Sequence, residues 1–338
     1  EKFFKSSDEE AEPFFNTVLY TGNASTRSIT GVGFEPDFVW IKNRTTGFSS
    51  SLQDTVRGTG GAATLSSDGA WAEGTYPNYG HISAFNIDGF TLAGSSGSYG
   101  HANTNQSNNN YVAWCWKAGG AAVSNTDGDI TSQVSANVAN GFSIVSYTGN
   151  SSFGQTIGHG LGAQPQMVIH KNLSNARNWR TYAETLGATK YINLDETAAA
   201  GTYGSFNNTA PTSTVFSTTN SVADRATNFN GDNYIAYCFH SVPGVSKVGS
   251  YAGSNSNLQV DTGFQPSFLM IKNIDVSGRP WLMVDNLRTG YVEANSTATE
   301  GDTVSNYLSF NSTGFLLVGG TGSYINEAGY NWIYLAIA

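Results

Sequence analysis

One eleven-residue pattern occurs three times in this chain and constrains what the rest can fold into. It runs Gly33-Phe34-Glu35-Pro36-Asp37-Phe38-Val39-Trp40-Ile41-Lys42-Asn43, then from Gly162 to Asn172, then from Gly263 to Asn273. Each copy opens with Gly-x-x-Pro, continues through an apolar run and closes on Lys-Asn. Proline is tolerated at the first residue of a strand, where the ladder does not need its missing N–H. The apolar residues do not alternate with polar ones, so the strand is expected to be covered on both faces. The pattern predicts a central strand of a layered β-domain, present three times, with Phe38, Met167 and Phe268 at equivalent buried positions.

Other stretches recur in step with it. The first two copies open with Thr17–Asn23 and Ser143–Asn150, the third with Lys247–Gly253; closing strands are expected at Tyr111–Trp116, Asn233–Phe239 and Asn331–Ala336. Phe85–Leu92 predicts a hairpin turning at Asp88-Gly89, and Phe310–Leu317 repeats it. The fold class expected is all-β: three tandem β-sandwich-like (jelly-roll-like) repeats of roughly 100 residues, the size of a small sandwich. The boundaries read as a charged leader or arm at 1–12, repeats at 13–118, 141–243 and 244–338, and a Gly/Ala/Ser/Asn-rich linker at 119–140.

Composition fits short aromatic strands joined by polar turns. Charged residues are 12% of the 338, against about a quarter in ordinary soluble domains. Aromatics are 13% and glycines number 39. A formal net charge of -9 argues against nucleic acid, whose phosphates need a basic face. No apolar run approaches the roughly 18–20 residues that span a bilayer as a helix, so no membrane insertion is expected. The two cysteines, Cys115 and Cys238, are too few for a disulfide framework and occupy matching places in different copies. They are expected to be unbonded.

Aligning the copies gives a lysine column (Lys42, Lys171, Lys272) and an acidic column (Asp54, Glu184, Asp285). A lysine–carboxylate pair can do acid–base work if burial shifts its pKa. Because the pattern is tripled, these residues read instead as structural ion pairs, or as strand-end lysines with their stems along the sheet. His170 stands where the other copies carry Ile41 and Ile271, so it reads as a core or interface residue. No histidine pair at helical spacing and no Cys-x-x-Cys suggests zinc, and Asn125–Asp129 lacks the rest of a calcium loop. No P-loop, Rossmann fingerprint or nucleophile elbow is present. No catalytic residue, metal or cofactor is therefore expected. What remains are loop aromatics: Trp71, Tyr76, Tyr79 and Tyr99 in the first copy, Tyr203 and Phe206 in the second. Rings flanked by Asn, Ser and Gly can stack on sugar faces, form protein contacts, or anchor their own loops.

The signature at 33–44, with Asn110–Gly120, Gly141–Asn150 and the third-copy Gly263–Lys272, resembles a family of marine bacteriophage (cyanophage-like) proteins described as tail fibre or virion structural proteins. The resemblance extends over 13–338. It implies a virion or extracellular location, other virion proteins as partners, a homo-oligomer (a trimer favoured by analogy with fibres) and contact with a host surface glycan or protein. The three copies also allow a monomer that mimics a trimer by itself. A secreted bacterial adhesin or surface protein is the first alternative. A glycan-depolymerising spike is the second, and it needs paired carboxylates in an aromatic cleft.

Overall fold

The computed structural model describes residues 13–94, 100–219, 225–301, 307–320 and 324–338; the leader 1–12 and Tyr99 lie outside them. The regular elements described are strands, apart from two three-residue 3-10 turns at Gly61–Ala63 and Glu184–Leu186. The protein is all-β, built of several antiparallel sheets of a sandwich-like kind.

Three large sheets share one strand order: opening, closing, central, short. The first contains Phe15–Thr21, Asn110–Trp116, Phe38–Asn43 and Ser51–Asp54. The second contains Phe142–Thr148, Asn233–Phe239, Met167–Asn172 and Arg180–Ala183. The third contains Ser246–Ala252, Asn331–Ile337, Phe268–Asn273 and Leu282–Asp285. Phe38 pairs with Trp116, Met167 with Phe239 and Phe268 with Ile337. All three residues are buried, as expected. The opening turns work alike. Gly33, Gly162 and Gly263 adopt φ of +87°, +67° and +89°, a left-handed backbone that glycine enters without strain. Each proline lies one residue before the first N–H donated to the closing strand, from Asp37, Gln166 and Ser267.

Every residue of the three central strands is buried, because two different cores cover them. Side chains alternate between faces along a strand. Val39 and Ile41 face a small sheet of Arg27–Thr30, Gly89–Leu92 and Ile82–Asn86. The second large sheet is covered in the same way by Gln155–Gly158 with Val215–Thr218, and the third by Leu258–Asp261, Gly314–Leu317 and Leu308–Asn311. Phe38 and Trp40 face the other way, into a core shared with Tyr237 and Phe142 of the second large sheet and Phe268 of the third. Phe38 stacks on Tyr237 at 4.4 Å between centroids, and Trp114 meets Phe268 at 5.6 Å.

Two expectations are corrected. The 119–140 segment is no free linker: Val123–Asn125 and Ser132–Asn137 add two strands to the second large sheet, beside Phe142–Thr148. Its side chains are small and polar, so its alternation is weak, but Val134 is buried and the backbone pairs in full register. The hairpin of the first copy turns at Ile87-Asp88, not Asp88-Gly89, since Asn86 already pairs with Gly89. Glycine is required at 89 (φ +140°) for another reason. A Cβ there would lie 2.1 Å from the carbonyl oxygen of Ile29 on the neighbouring strand, and Gly314 stands in the same relation to Val260.

A cycle of polar contacts locks the three large sheets. The N–H of Glu73 donates to Leu173 O (3.0 Å), that of Ala200 to Ile274 O (2.9 Å) and that of Glu300 to Arg44 O (3.0 Å). Each acceptor directly follows the asparagine that ends a central strand, so the head-to-tail contacts close within one chain. Two members of the lysine column, Lys42 and Lys171, reinforce them by reaching a loop of a neighbouring sheet. Lys42 donates to Ser296 O (2.5 Å) and Phe48 O (3.2 Å), Lys171 to Ala70 O (3.0 Å) and Arg177 O (2.5 Å), and Lys272 to Arg279 O. Burial lowers the pKa of each to about 8.

The lysine and acidic columns therefore do not pair with each other. The register sets Phe38 opposite Asp54 and Phe268 opposite Asp285. Each lysine is four residues further along, roughly 13 Å at strand rise. Asp54 instead binds Arg57 (2.6 Å) and accepts from Tyr237 Oη (2.7 Å); Asp285 binds Arg288 (2.7 Å) and accepts from Trp114 Nε1 (3.0 Å). Glu184 breaks the column and is exposed. Leu335 holds the place of Trp114 and Tyr237 in the third sheet and offers no donor.

Cys115 and Cys238 are free and buried in different cores, where burial raises both thiol pKa values, Cys238 to about 12. His170 is fully buried among Phe206, Phe216 and Tyr147, and neither ring nitrogen has a hydrogen-bond partner among the described residues. Desolvation lowers its pKa to about 3. Below pH 6.5 the unfolded chain takes up a proton that the folded chain refuses, so stability falls as the pH drops toward 3. The full effect is on the order of 4–5 kcal/mol. His170→Ile, the residue of the other two copies, is expected to stabilise by about 1–3 kcal/mol at pH 7 by removing an unsatisfied polar ring. It should gain further at pH 5, as urea melts at both pH values will read.

Candidate ligand-binding site

The first-copy loop aromatics meet one another. Trp71 packs edge-to-face on Tyr76 at 5.1 Å, and Tyr76 on Tyr79 at 5.3 Å. Trp71 also closes over Gly69, where a Cβ would fall 2.4 Å from the indole. Tyr76 and Tyr79 edge an open recess of about 190 Å³ whose far wall is Thr297 of the third sheet's loop. All three rings are half-buried, so they anchor their own loop more than they offer a stacking face. Tyr203 is 41% exposed on a separate loop, while Phe206 is buried under His170. The void along the shared core is only about 10 Å³, too small for a ligand.

A larger site lies away from the loop aromatics of the first two copies. The third copy carries a recess of about 510 Å³, within the usual range for small-molecule sites. Tyr291, Tyr307 and Tyr324 supply aromatic surface over the buried Trp332, and Asn273, Arg279 and Glu293 supply polar groups. The Tyr324 ring is 69% exposed and Tyr307 45%.

The recess reflects a difference between strand ends. In the first copy, Asn43 Nδ2 donates to Thr46 Oγ1 (2.9 Å), Ala102 O (2.9 Å) and Tyr111 Oη (3.2 Å). Tyr111 Oη in turn donates to Ala102 O (3.0 Å) and accepts from the Gln106 N–H (2.8 Å), clasping the loop over the strand end. Asn172 and Tyr234 repeat the clasp on Arg225 O and the Phe229 N–H. Trp332 takes the tyrosine's place in the third copy and has no hydroxyl. Asn273 Oδ1 still caps its turn, accepting from the N–H groups of Asp275 and Val276, but its Nδ2 is buried without a partner among the described residues. The sequence signal was Trp332 against Tyr111 and Tyr234, in company with Tyr291, Tyr307 and Tyr324 in the third copy's loops.

Both charged side chains lining the recess have a polar partner. Arg279 pairs with Glu327 (2.7 Å) and lies 4.7 Å from the Tyr324 ring centroid. Glu293 Oε2 accepts from Ser296 Oγ (2.6 Å). Among the described residues no cluster of three or more His, Cys, Asp or Glu is placed to hold a metal ion.

Fold and site together define an all-β protein with an aromatic-walled recess at the end of one sheet. The chain belongs to the family described as Domain of unknown function (DUF7483), whose model matches residues 10–338. No curated protein and no solved structure matches it.

Proposed function

We propose that this chain is a non-enzymatic structural and adhesive component of a phage particle, a tail fibre, spike or head appendage. In this reading it is three tandem β-sandwich-like repeats closed head-to-tail on one core, with the 119–140 segment joined to the second. The observation that carries it is the shared core with its cycle of backbone bonds from Glu73, Ala200 and Glu300. Such a core holds three sets of strand-end loops at fixed spacing, and weak contacts multiplied across fixed positions become useful adhesion. The sequence signature at 33–44 supports the phage assignment.

Between a homotrimer and a pseudo-threefold monomer, the shared core favours the monomer, since the faces a trimer would bury are covered within the chain. The recombinant chain is expected to sediment near its own 35.9 kDa at micromolar concentration. A species near three times that mass would restore the homotrimer. Mass spectrometry of purified virions should find the polypeptide as a stoichiometric component. Recovery from the host envelope alone would replace this reading with the bacterial adhesin, and new reducing ends on incubation with host polysaccharide would replace it with the depolymerase.

A further inference from the structure

We infer that the third-copy recess, bounded by Trp332, Tyr291 and Tyr324 and floored by the unpartnered amide of Asn273, binds a neutral pyranose sugar of one or two rings. This deepens the adhesive reading and rests on it for a biological role.

The amide is the first reason. Asn273 is 2% exposed and its Nδ2 makes no hydrogen bond among the described residues, whereas the equivalent groups of Asn43 and Asn172 each make three. An unmet buried donor is costly, and a ligand acceptor that reaches it, after a small shift of the groups closing it from solvent, relieves that cost. The hydroxyl of a sugar is such an acceptor, and it also donates. Glu293 supplies the matching acceptor: its Oε2 is engaged by Ser296, and its Oε1 has no hydrogen bond among the described residues. A donor amide and an acceptor carboxylate on one recess suit neighbouring hydroxyls, each of which gives one hydrogen bond and takes another.

The walls are the second reason. The C–H faces of a pyranose are flat and apolar and pack on aromatic rings, whose faces carry negative charge. Tyr324 is largely in solvent and Tyr307 about half so, and Arg279 braces Tyr324 from one side.

Charge decides between sugar classes. Arg279 is neutralised by Glu327, and Glu293 adds a negative charge, so an acidic sugar finds no free cation among the described lining residues. The volume of about 510 Å³ accommodates one or two rings rather than a long chain.

The test uses the whole recombinant chain with methyl glycosides of glucose, galactose, mannose and N-acetylglucosamine, observed by saturation-transfer NMR and titration. At least one is expected to show transfer to its ring protons. Tyr324→Ala, which removes an exposed ring and leaves the cores intact, should weaken binding by about tenfold, or ~1.4 kcal/mol. Trp332→Tyr supplies the hydroxyl of the other two copies and should abolish binding by restoring the clasp. Saturation transfer from none of the four sugars, or binding unchanged in Tyr324→Ala, overturns the inference. Virion incorporation is read separately by mass spectrometry, so either result can fail alone.

Discussion

Phe38→Ala is expected to destabilise the whole protein by about 3–5 kcal/mol, the usual range for emptying a buried phenylalanine site. Phe38 is 2% exposed and touches Trp40, Trp116, Phe142 and Tyr237, so the cavity would open between the first and second large sheets. A rigid aromatic surround collapses poorly, which favours the upper part of the range. Because the core is common to all three large sheets, the loss should appear as one cooperative shift in guanidinium melts followed by both fluorescence and circular dichroism. Phe268→Ala should behave alike, since Phe268 meets Phe15, Trp114 and Trp116 of the first sheet. Two separated transitions, or a cost below about 1 kcal/mol, would mean that the sheets are independent and only rest against one another.

The central strands were legible because their signal is local. Gly-x-x-Pro states where each strand begins, and an unbroken apolar run states that two faces are covered. What covers the second face is a non-local fact. Nothing near Phe38 announces that Tyr237 lies against it, almost two hundred residues on. The acidic column was visible as a column but misassigned, because its partners Arg57 and Arg288 sit three residues beyond each acid while the lysines lie at the opposite end of the strand. Glu184 was aligned correctly yet is exposed, because Leu335 stands in the place of the donor from another sheet and Gly187 in the place of Arg57 and Arg288. The strands inside 119–140 escaped notice because small polar side chains give a weak period of two. The recess was the hardest to read. It depends on a hydroxyl that Tyr111 and Tyr234 have and Trp332 lacks, and a Tyr-to-Trp difference in an apolar strand looks conservative until the Nδ2 of the asparagine beneath it is seen without a partner among the described residues.

The second large effect concerns the buried acid at the junction of the first two sheets. Asp54 is fully buried, with Arg57 Nε at 2.6 Å, the N–H groups of Val56 and Arg57 on its Oδ1, and Tyr237 Oη on its Oδ2. Asp54→Ala is expected to cost about 3–5 kcal/mol, the range for removing one member of a buried ion pair. Most of that cost is the charge left behind: the Arg57 side chain is only 3% exposed and would keep Glu73 alone as a counter-charge. The replacement of all three groups should behave differently. Asp54→Leu with Arg57→Met and Tyr237→Phe leaves no buried charge or hydroxyl stranded, only the N–H groups at 56 and 57 and the Ala63 carbonyl, and buried ionic clusters replaced by apolar residues are often neutral or stabilising. Glu184→Ala, at the exposed member of the same column, should stay within about 0.5 kcal/mol of the parent. Guanidinium melts of the four proteins therefore carry an ordering, with Asp54→Ala far below the parent and the other two near it. A triple variant as unstable as Asp54→Ala would show that the cluster supplies net attraction across the junction, and that the closed arrangement depends on charge as well as on the aromatic core.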